Sequence, residues 1–299
     1  MKTALRKLRI LNLTCPSQKG RPCFISAASG LVTDDKNFYV ISDDELSLAT
    51  FSRDGSPGRL TPLFPGPLPV EHEERKKQKP DLESLLKFDD GLLAVPSGST
   101  IHRLLGVFLK NGQPQTVDFS EIYIHLQNNI AELNIEGSVI RDDQFILLQR
   151  GNGMANKNAL IILNLQSVRT AIASNNPIQK NSLCEIKFLE LGSLNQVPLS
   201  FTDAALDKHG DIWFLAAAEA TKSTYSDGQY VGAVLGCIDR SNNIVSTSEL
   251  DCPRKPEGLA LGTHDLNFWI VTDADDPAQA AELFEVTVEL NLTGKGHLI

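Results

Sequence analysis

The segment Lys255-Pro256-Glu257-Gly258-Leu259 places a carboxylate beside a small residue at the start of an apolar run. Four other segments repeat this pattern of an acidic or hydroxyl residue next to small residues: Ala27-Ala28-Ser29-Gly30-Leu31, Asp81-Leu82-Glu83-Ser84-Leu85, Asn134-Ile135-Glu136-Gly137-Ser138 and Phe201-Thr202-Asp203-Ala204-Ala205. The aligned oxygen-bearing residues are separated by 54, 53, 67 and 54 positions. Repeats at intervals of this size are typical of solenoids and propellers.

Each repeat is followed by short runs of alternating apolar residues, such as Asn37-Phe38-Tyr39-Val40-Ile41, which predict β-strands. After Asp203, four strands fit near 203–207, 211–217, 231–238 and 243–250, separated by turn residues. Four strands are one propeller blade. No helix-length pattern competes with them, although residues 120–130 are compatible with a short helix. The charged run 71–79 predicts a solvated loop.

The two ends of the chain predict how the ring of blades closes. After Glu257 only three strands fit, near 257–261, 267–272 and 282–290, while an apolar strand at Leu8–Leu13 has no blade of its own. Such a strand can complete the last blade and remove a free sheet edge. We therefore expect an all-β fold: one domain over residues 1–299, a five-bladed β-propeller closed by its N-terminal strand. Six blades, the alternative, require a repeat that the sequence does not display.

Composition limits the partners and the compartment. The net charge of −9 disfavours nucleic acid and anionic membranes, because both are bound through clustered Lys and Arg. The N-terminal apolar run is broken by Arg9 and Asn12, which argues against a secretory signal, and no membrane-spanning segment is expected. Five cysteines without paired metal spacing favour reduced thiols. These features predict a cytoplasmic protein and leave its oligomeric state open.

The repeated acids predict a metal site on the propeller axis. The first strand of each blade lines the central channel, so Ser29, Glu83, Glu136, Asp203 and Glu257 should converge there. At about 5 Å and an effective dielectric constant of about 20, each pair of like charges costs roughly 3 kcal/mol, so the cluster should attract a cation. Calcium accepts six to eight oxygen ligands, whereas zinc prefers His or Cys. The competing interpretation is a water-filled channel whose acids pair with Lys79, Arg254 and Lys255.

The order Ser, Glu, Glu, Asp, Glu resembles the calcium-activated nucleotidase (apyrase) architecture, a five-bladed propeller in which Ser, Glu, Glu, Ser and Glu surround a central calcium. The stretch 145–152 is similar to that family's strand ending in arginine, and Pro256-Glu257-Gly258-Leu259 to its closing Glu-Gly segment. Asp203 stands where that family has Ser. The family's N-terminal aspartate-containing segment is missing, so nucleotide hydrolysis is not carried over. The lactonase-like and esterase-like-phytase propellers are similar in the same way.

A catalytic site is expected at the channel mouth, where the second strands of the blades end. The mechanism we expect is metal-assisted hydrolysis of a small phosphoester or lactone: Ca²⁺ polarises an oxygen, Asp43 or Asp273 activates water, and Arg150 stabilises negative charge. The plainer interpretations are strand-end capping for the aspartates and a salt bridge to a ring carboxylate for Arg150. The rival function is a non-enzymatic binding or scaffold propeller with a structural ion. The loop 220–230 is expected to act as a lid or plug.

Overall fold

The computed structural model describes residues 2–155, 157–220 and 228–288. Two short strands, β1 (Thr3–Ala4) and β2 (Arg6–Ile10), precede five sheets that follow one another along the chain. The strands of the sheets are, in blade 1, β3 (Ala28–Thr33), β4 (Asn37–Ser42), β5 (Ser47–Ser52) and β6 (Arg59–Pro62); in blade 2, β7 (Leu82–Phe88), β8 (Gly91–Pro96), β9 (Leu105–Lys110) and β10 (Gln113–Asp118); in blade 3, β11 (Ile135–Arg141), β12 (Gln144–Gln149), β13 (Asn158–Asn164) and β14 (Leu183–Leu189); in blade 4, β15 (Ser193–Leu194), β16 (Val197–Leu206), β17 (Ile212–Ala220), β18 (Gln229–Ile238) and β19 (Ile244–Asp251); in blade 5, β20 (Lys255–Leu261), β21 (Asn267–Asp273) and β22 (Glu282–Thr287). The predicted five-bladed propeller is confirmed.

The N-terminus closes the ring by joining two blades. Strand β2 pairs antiparallel with β22, with Arg6 opposite Glu285, and so completes blade 5 as predicted. Strand β1 pairs parallel with the outer strand β19 of blade 4. The expected boundaries Leu8–Leu13 were wrong, because the paired strand ends at Ile10. Leu11 and Leu13 are buried in an apolar cluster between blades 1 and 5 instead.

In the described part of the chain, three α-helices lie in the connections between strands: α1 (His72–Gln78), α2 (Ser120–Gln127) and α3 (Leu165–Ala173). Helix α2 forms where a short helix was expected. Helix α1 corrects the expectation of a solvated loop, because its Arg75 is buried and bonds to Asp44. Among the described helices, none is long and apolar enough to cross a membrane.

The apolar core lies mainly between neighbouring blades. Aromatic side chains meet across the blade boundaries, with Phe38 of blade 1 edge-on to Trp269 of blade 5 at 5.1 Å between ring centroids. Phe88 of blade 2 likewise meets Phe145 of blade 3 at 6.5 Å. Edge-to-face contact is a favourable arrangement for aromatic rings. Because each blade buries its faces against its neighbours, the five inner strands β3, β7, β11, β16 and β20 surround a central channel.

Candidate metal centre in the central channel

All five inner strands contain a β-bulge at one level of the channel. In each strand a single residue is skipped in the pairing with the second strand of its blade. A bulge leaves one residue unpaired and re-aims its side chain, and bulges are common beside active sites. The skipped residues, which we call the bulge ring, are Ser29, Glu83, Glu136, Thr202 and Glu257.

In blade 4 the bulge falls one residue before the aligned acid. Phe201 pairs with Ala216 and Asp203 pairs with Leu215, so Thr202 occupies the position equivalent to the other ring residues. Asp203 is buried, and its Oδ2 accepts a hydrogen bond of 2.7 Å from the Leu259 N–H of blade 5. Thr202 donates from its hydroxyl to the Pro256 carbonyl at 2.7 Å. Ser29 makes the matching bond to the Leu82 carbonyl at 2.6 Å.

A cavity of about 70 Å³, which we call the central cavity, lies at the level of the bulge ring. Ser29, Glu83, Glu136 and Glu257 line it, whereas neither Thr202 nor Asp203 is among its lining residues. Six carboxylates and five cationic side chains contribute to the wall: Asp43, Asp81, Glu83, Glu136, Glu257 and Asp273, with Lys76, Lys79, Arg103, Arg150 and Lys255. Such a density of buried charge requires close pairing or a bound ion.

A chain of ion pairs crosses blades 3, 4 and 5 on one side of the cavity. Arg150 donates to Glu136 Oε1 at 3.0 Å and to Glu219 of blade 4. Lys255 Nζ contacts Glu219 Oε1 at 3.1 Å and Glu257 Oε1 at 3.0 Å. Lys255 also contacts Asp275 at 3.0 Å. With Glu219 and Asp275 included, carboxylates outnumber cations in this region by three.

The other side of the cavity joins blades 1 and 2. Lys79 bonds to Asp43 and lies 2.8 Å from Asp81 Oδ1, while Arg103 lies 2.7 Å from Asp81 Oδ2. Asp81 has a φ of 58°, a left-handed conformation that is uncommon for residues other than glycine. Strained backbone of this kind persists when the surroundings enforce it, as at functional sites. Here the ion pairs of the carboxylate with Lys79 and Arg103 help to keep Asp81 in this conformation.

One set of three carboxylates has metal-ligand spacing. An oxygen from each of Asp43, Asp81 and Glu83 lies within 4.8 Å of the other two. Lys79 and Arg103 together balance Asp43 and Asp81, which leaves Glu83 as the additional negative charge of this set. The bulge ring and this set share Glu83, which places it at the junction of the two.

The pKa values of the site reflect burial combined with crowded negative charge. Burial raises the pKa of Glu83 well above its usual range, and the charges of Asp81 and Glu136 raise it further. Burial also raises the pKa of Glu257 well above normal, although Lys255 and Arg150 oppose the shift. Although burial would raise the pKa of Asp81, Lys79 and Arg103 lower it below its ordinary value. Glu83 and Glu257 are therefore stabilised by a bound proton or a nearby cation, whereas the ionised form of Asp81 is favoured by its neighbours.

Several buried oxygens around the cavity have no hydrogen-bond partner among the described residues. Asp43 Oδ1, Asn152 Oδ1 and Glu257 Oε2 are such atoms, and all three residues line the central cavity. Buried acceptors in native proteins are normally satisfied, so an unsatisfied group calls for an unseen partner. A cation surrounded by oxygens would satisfy acceptors from several blades at once.

The three residues predicted to be catalytic lie around the mouth of this cavity. Asp43 follows β4, Arg150 follows β12 and Asp273 ends β21, so each stands at the end of the second strand of its blade. All three line the central cavity. The sequence predicted their positions at the channel mouth but not their contacts. Burial raises the pKa of Asp273 to about 7 despite the opposing charge of Lys255. Arg150 forms the salt bridge to ring carboxylate Glu136 that was the plainer interpretation of this residue.

Sequence reasoning missed Asp81 and Arg103 as members of the site. Asp81 stands two residues before Glu83 in the repeat, a position that carries an oxygen-bearing side chain in blade 3 as well, at Asn134. That recurrence was an available signal. Arg103 lies in a connecting segment whose direction no pattern in the sequence fixes. The loop expected to act as a lid or plug, 220–230, lies mostly outside the described residues.

Comparison with known proteins places the chain in a family. A model described as a family of unknown function (DUF6929) matches residues 24–288. The chain belongs to this family. The DUF6929 match spans every residue of the bulge ring, from Ser29 to Glu257. No curated protein matches the chain significantly.

Two solved structures share the fold of this DUF6929 protein. A glutaminyl cyclase from Myxococcus xanthus is 12% identical with a TM-score of 0.53, covering 95% of this chain and 96% of its own. A luciferin-regenerating enzyme is 11% identical with a TM-score of 0.51, covering 96% of this chain and 95% of its own. At such identities the likeness concerns the fold alone.

Proposed function

We propose that this DUF6929 protein binds a divalent cation, Ca²⁺ in the first place, at the bulge ring and hydrolyses small phosphoesters in the central cavity. The observation that carries the proposal is the alignment of the five bulges at one level. It directs Glu83, Glu136 and Glu257 toward one axis in a region where carboxylates outnumber cations. Like charges brought together in this way need a compensating cation.

The residues of the ring suit a hard cation. Every ring side chain offers oxygen, which calcium prefers, and none offers the imidazole or thiolate that favours zinc. Ser29 and Thr202 donate their hydroxyl hydrogens to backbone carbonyls, so their oxygens keep lone pairs for a cation. With Thr202 in the fourth place, the ring reads Ser, Glu, Glu, Thr, Glu. This order, with a hydroxyl in the fourth place, is closer to the nucleotidase-like pattern than the order with Asp203 in that place.

The unsatisfied oxygens supply an independent reason for the ion. Glu257 would use its Oε2, since its Oε1 bonds to Lys255. Asn152 Oδ1 and Asp43 Oδ1 are further acceptors at the cavity wall. We assign Glu83, Glu136 and Glu257 as the principal ligands, with Ser29 and Thr202 beside them. Asp203 is assigned a structural role, because its carboxylate bonds to the backbone of blade 5.

A bound divalent ion would polarise a substrate oxygen and acidify a water molecule. Asp273 would accept the proton from the attacking water, because a pKa of about 7 matches a general base working near neutral pH. Arg150 would face the negative charge that develops on the substrate, held in place by Glu136 and Glu219. Asp43 would orient Lys79 toward the same cavity.

The cationic side chains of the wall, together with the bound divalent ion, favour a phosphoester over a lactone. Five cationic side chains line the central cavity, and an anionic phosphoryl group uses such partners whereas a neutral ester does not. The volume of about 70 Å³ accommodates the reacting group alone, so the rest of the substrate would lie outside. A second cavity of about 70 Å³ shares Asp43, Lys79 and Asp273 with the central one and offers that space beside α1.

The second candidate function is a binding or scaffold propeller with a structural ion. The observation in its favour is that Arg150 and Lys255 are engaged with the carboxylates of the wall itself. Their ion pairs connect blades 3, 4 and 5, as a structural centre would. In that function the ion would raise stability without supporting turnover.

Hydrolysis assays on chelator-stripped protein separate the two functions. We expect p-nitrophenyl phosphate to be hydrolysed only after Ca²⁺ is added, and a panel of lactones to be untouched. Asp273→Asn should abolish turnover while calcium binding persists, whereas Asp265→Asn, an exposed acid that lines neither cavity, should retain activity. Calcium binding without turnover of any phosphoester would overturn the hydrolase and support the scaffold.

A further inference from the structure

The opposite end of the channel holds a cavity of about 650 Å³, which we call the lower cavity. The inner strands that carry the bulge ring continue past it, and their far ends form the wall of the lower cavity. Most of the wall is aliphatic: Leu31, Val32, Leu85, Leu86, Val139, Ile140, Ala204, Ala205, Leu206, Leu259, Ala260 and Leu261. Binding cavities for small molecules have this size and this mixture of an apolar wall with few polar groups.

A cationic group is fixed at the rim of the lower cavity. The Arg53 guanidinium stacks over the Trp269 ring at 4.2 Å and over Phe38 at 5.1 Å. Its Nη2 donates to the Thr33 hydroxyl at 2.7 Å and to the Asp34 carbonyl. Stacking and hydrogen bonds together pre-organise the charge, so little entropy would be lost when an anion binds.

The acid nearest to Arg53 is occupied within its own turn. The Asp34 carboxylate accepts hydrogen bonds from the backbone N–H groups of Lys36 and Asn37 and from the Tyr39 hydroxyl, at 2.7–2.8 Å. Burial would raise the pKa of Asp34, but these hydrogen bonds lower it. Its oxygens are therefore poorly available to a ligand. Asp35, which is exposed, is the other acid in the wall.

A second cation completes the rim. Lys87 is exposed, lines the lower cavity and forms no ion pair with any residue that the structure describes. Arg53 and Lys87 thus provide positive charge beside an aliphatic wall, while one of the two acids is already bonded. This combination complements an anion that carries an apolar body.

We propose that the lower cavity binds a small amphipathic anion, such as a medium-chain carboxylate. The apolar chain lies against the aliphatic wall, and the carboxylate faces Arg53 and Lys87. The site is separate from the bulge ring and needs neither the metal nor the hydrolytic residues. It gives the protein a second ligand at the end of the channel away from the proposed chemistry.

The first test compares three ligands of equal chain length by calorimetry: octanoate, octylammonium and octanol. We expect octanoate to bind with millimolar affinity or better, and octylammonium to bind at least about tenfold more weakly, which corresponds to about 1.4 kcal/mol. No octanoate binding at millimolar concentrations would overturn the proposal. Equal binding of octylammonium would also overturn it, because the cavity would then lack anion selectivity.

Variants locate the binding and test the role of charge. Lys87→Glu should weaken octanoate about three- to tenfold, as expected for an exposed charge contact. Lys180→Glu, an exposed lysine outside the lower cavity, is the matched control and should bind normally. Ala205→Trp should block the cavity. The Ala205→Trp substitution is large and can disturb folding. The deciding result is therefore that of the exposed Lys87→Glu variant: undiminished octanoate binding by it would overturn the role of positive charge at the rim.

Discussion

The two ends of the channel are built from the same five strands and yet have opposite chemistry. At the bulge ring the wall is dense with carboxylates and cations and encloses about 70 Å³. At the far end the wall is mostly aliphatic and opens to about 650 Å³. In blade 2 the change occurs between Glu83 and Leu85, and in blade 5 between Glu257 and Leu259.

The bulges explain how so short a distance separates the two environments. Side chains alternate between the faces of a regular strand, and a bulge interrupts that alternation at one residue. The skipped residue can therefore carry a charge toward the axis while its neighbours pack between blades. The charged end depends on ion pairing for stability, and the apolar end depends on burial.

Substitution of Arg150 should produce the largest loss of stability. Arg150→Met removes the cation that joins Glu136 to Glu219, so the buried carboxylate of Glu136 loses its salt-bridge partner and Glu219 keeps its contact with Lys255 alone. Breaking a buried pair in this way costs about 3–5 kcal/mol. Urea unfolding measures the effect. The matched control is Arg169→Met, whose pair with Asp89 is exposed and should contribute less than about 1 kcal/mol. Equal losses in the two variants would contradict the account.

The pH dependence of stability tests the burial of Asp273. Its folded pKa of about 7 lies above its unfolded value, so the folded state binds the proton more tightly. This contribution is fully present below the unfolded pKa and is lost as pH rises toward 7, with a slope of up to about 1.4 kcal/mol per pH unit. Asp273→Asn should therefore gain stability relative to the wild type between about pH 4 and pH 7.

Denaturant unfolding at a series of pH values in chelator would reveal this gain. Asp276→Asn is the control, because hydrogen bonds from Gln279 and Ala278 lower the pKa of that exposed acid. The stability of Asp276→Asn relative to the wild type should change with pH in the opposite direction and by a smaller amount. A parallel pH profile for Asp273→Asn and the wild type would refute the assignment.

The effect of substituting Glu83 on stability should depend on whether the ion is bound. In chelator, Glu83→Gln should stabilise the protein by about 1–2 kcal/mol, since it removes a buried like charge while keeping the shape of the side chain. With saturating Ca²⁺ the variant should gain less in melting temperature than the wild type, because stabilisation by a ligand follows its affinity. Thermal melts with and without Ca²⁺ test both parts, and an unchanged calcium response would count against Glu83 as a ligand.

The smallest effect is expected at the hydroxyl of the bulge ring in blade 4. Thr202→Val keeps the shape but removes the donor to the Pro256 carbonyl, which should cost about 1 kcal/mol. Thr247→Val, at an exposed position of the outer strand β19, is the control and should be close to neutral. Chemical unfolding compares the two. If Thr202→Val were neutral as well, the bond between blades 4 and 5 would have no energetic role.

Local patterns in the sequence were sufficient to predict the blades. The alternating run after Asp211 became β17, and the strands of blade 4 lie close to their expected positions. The ring position in that blade was displaced by one residue, because alignment favoured the acid of Asp203 over the hydroxyl of Thr202. A bulge depends on pairing with the next strand, and the sequence of one strand does not specify it.

The contacts of the site were less predictable than its members. Four of the five ring positions followed from repeat spacing, and the mouth residues followed from the ends of second strands. The pairing of Arg150 with Glu219, 69 residues apart, depends on how blades 3 and 4 pack. Helix α1 was missed because its charged residues resemble a solvated surface, whereas the structure buries Arg75 against Asp44 of blade 1.

The central claim is that the bulge ring binds a divalent cation, and a calorimetric titration of chelator-stripped protein with Ca²⁺ tests it most directly. The account predicts one bound ion per chain, with affinity reduced at least about tenfold in Glu83→Gln and unchanged in Asp276→Asn. Absence of calcium binding by the wild type, or undiminished binding by Glu83→Gln, would contradict it.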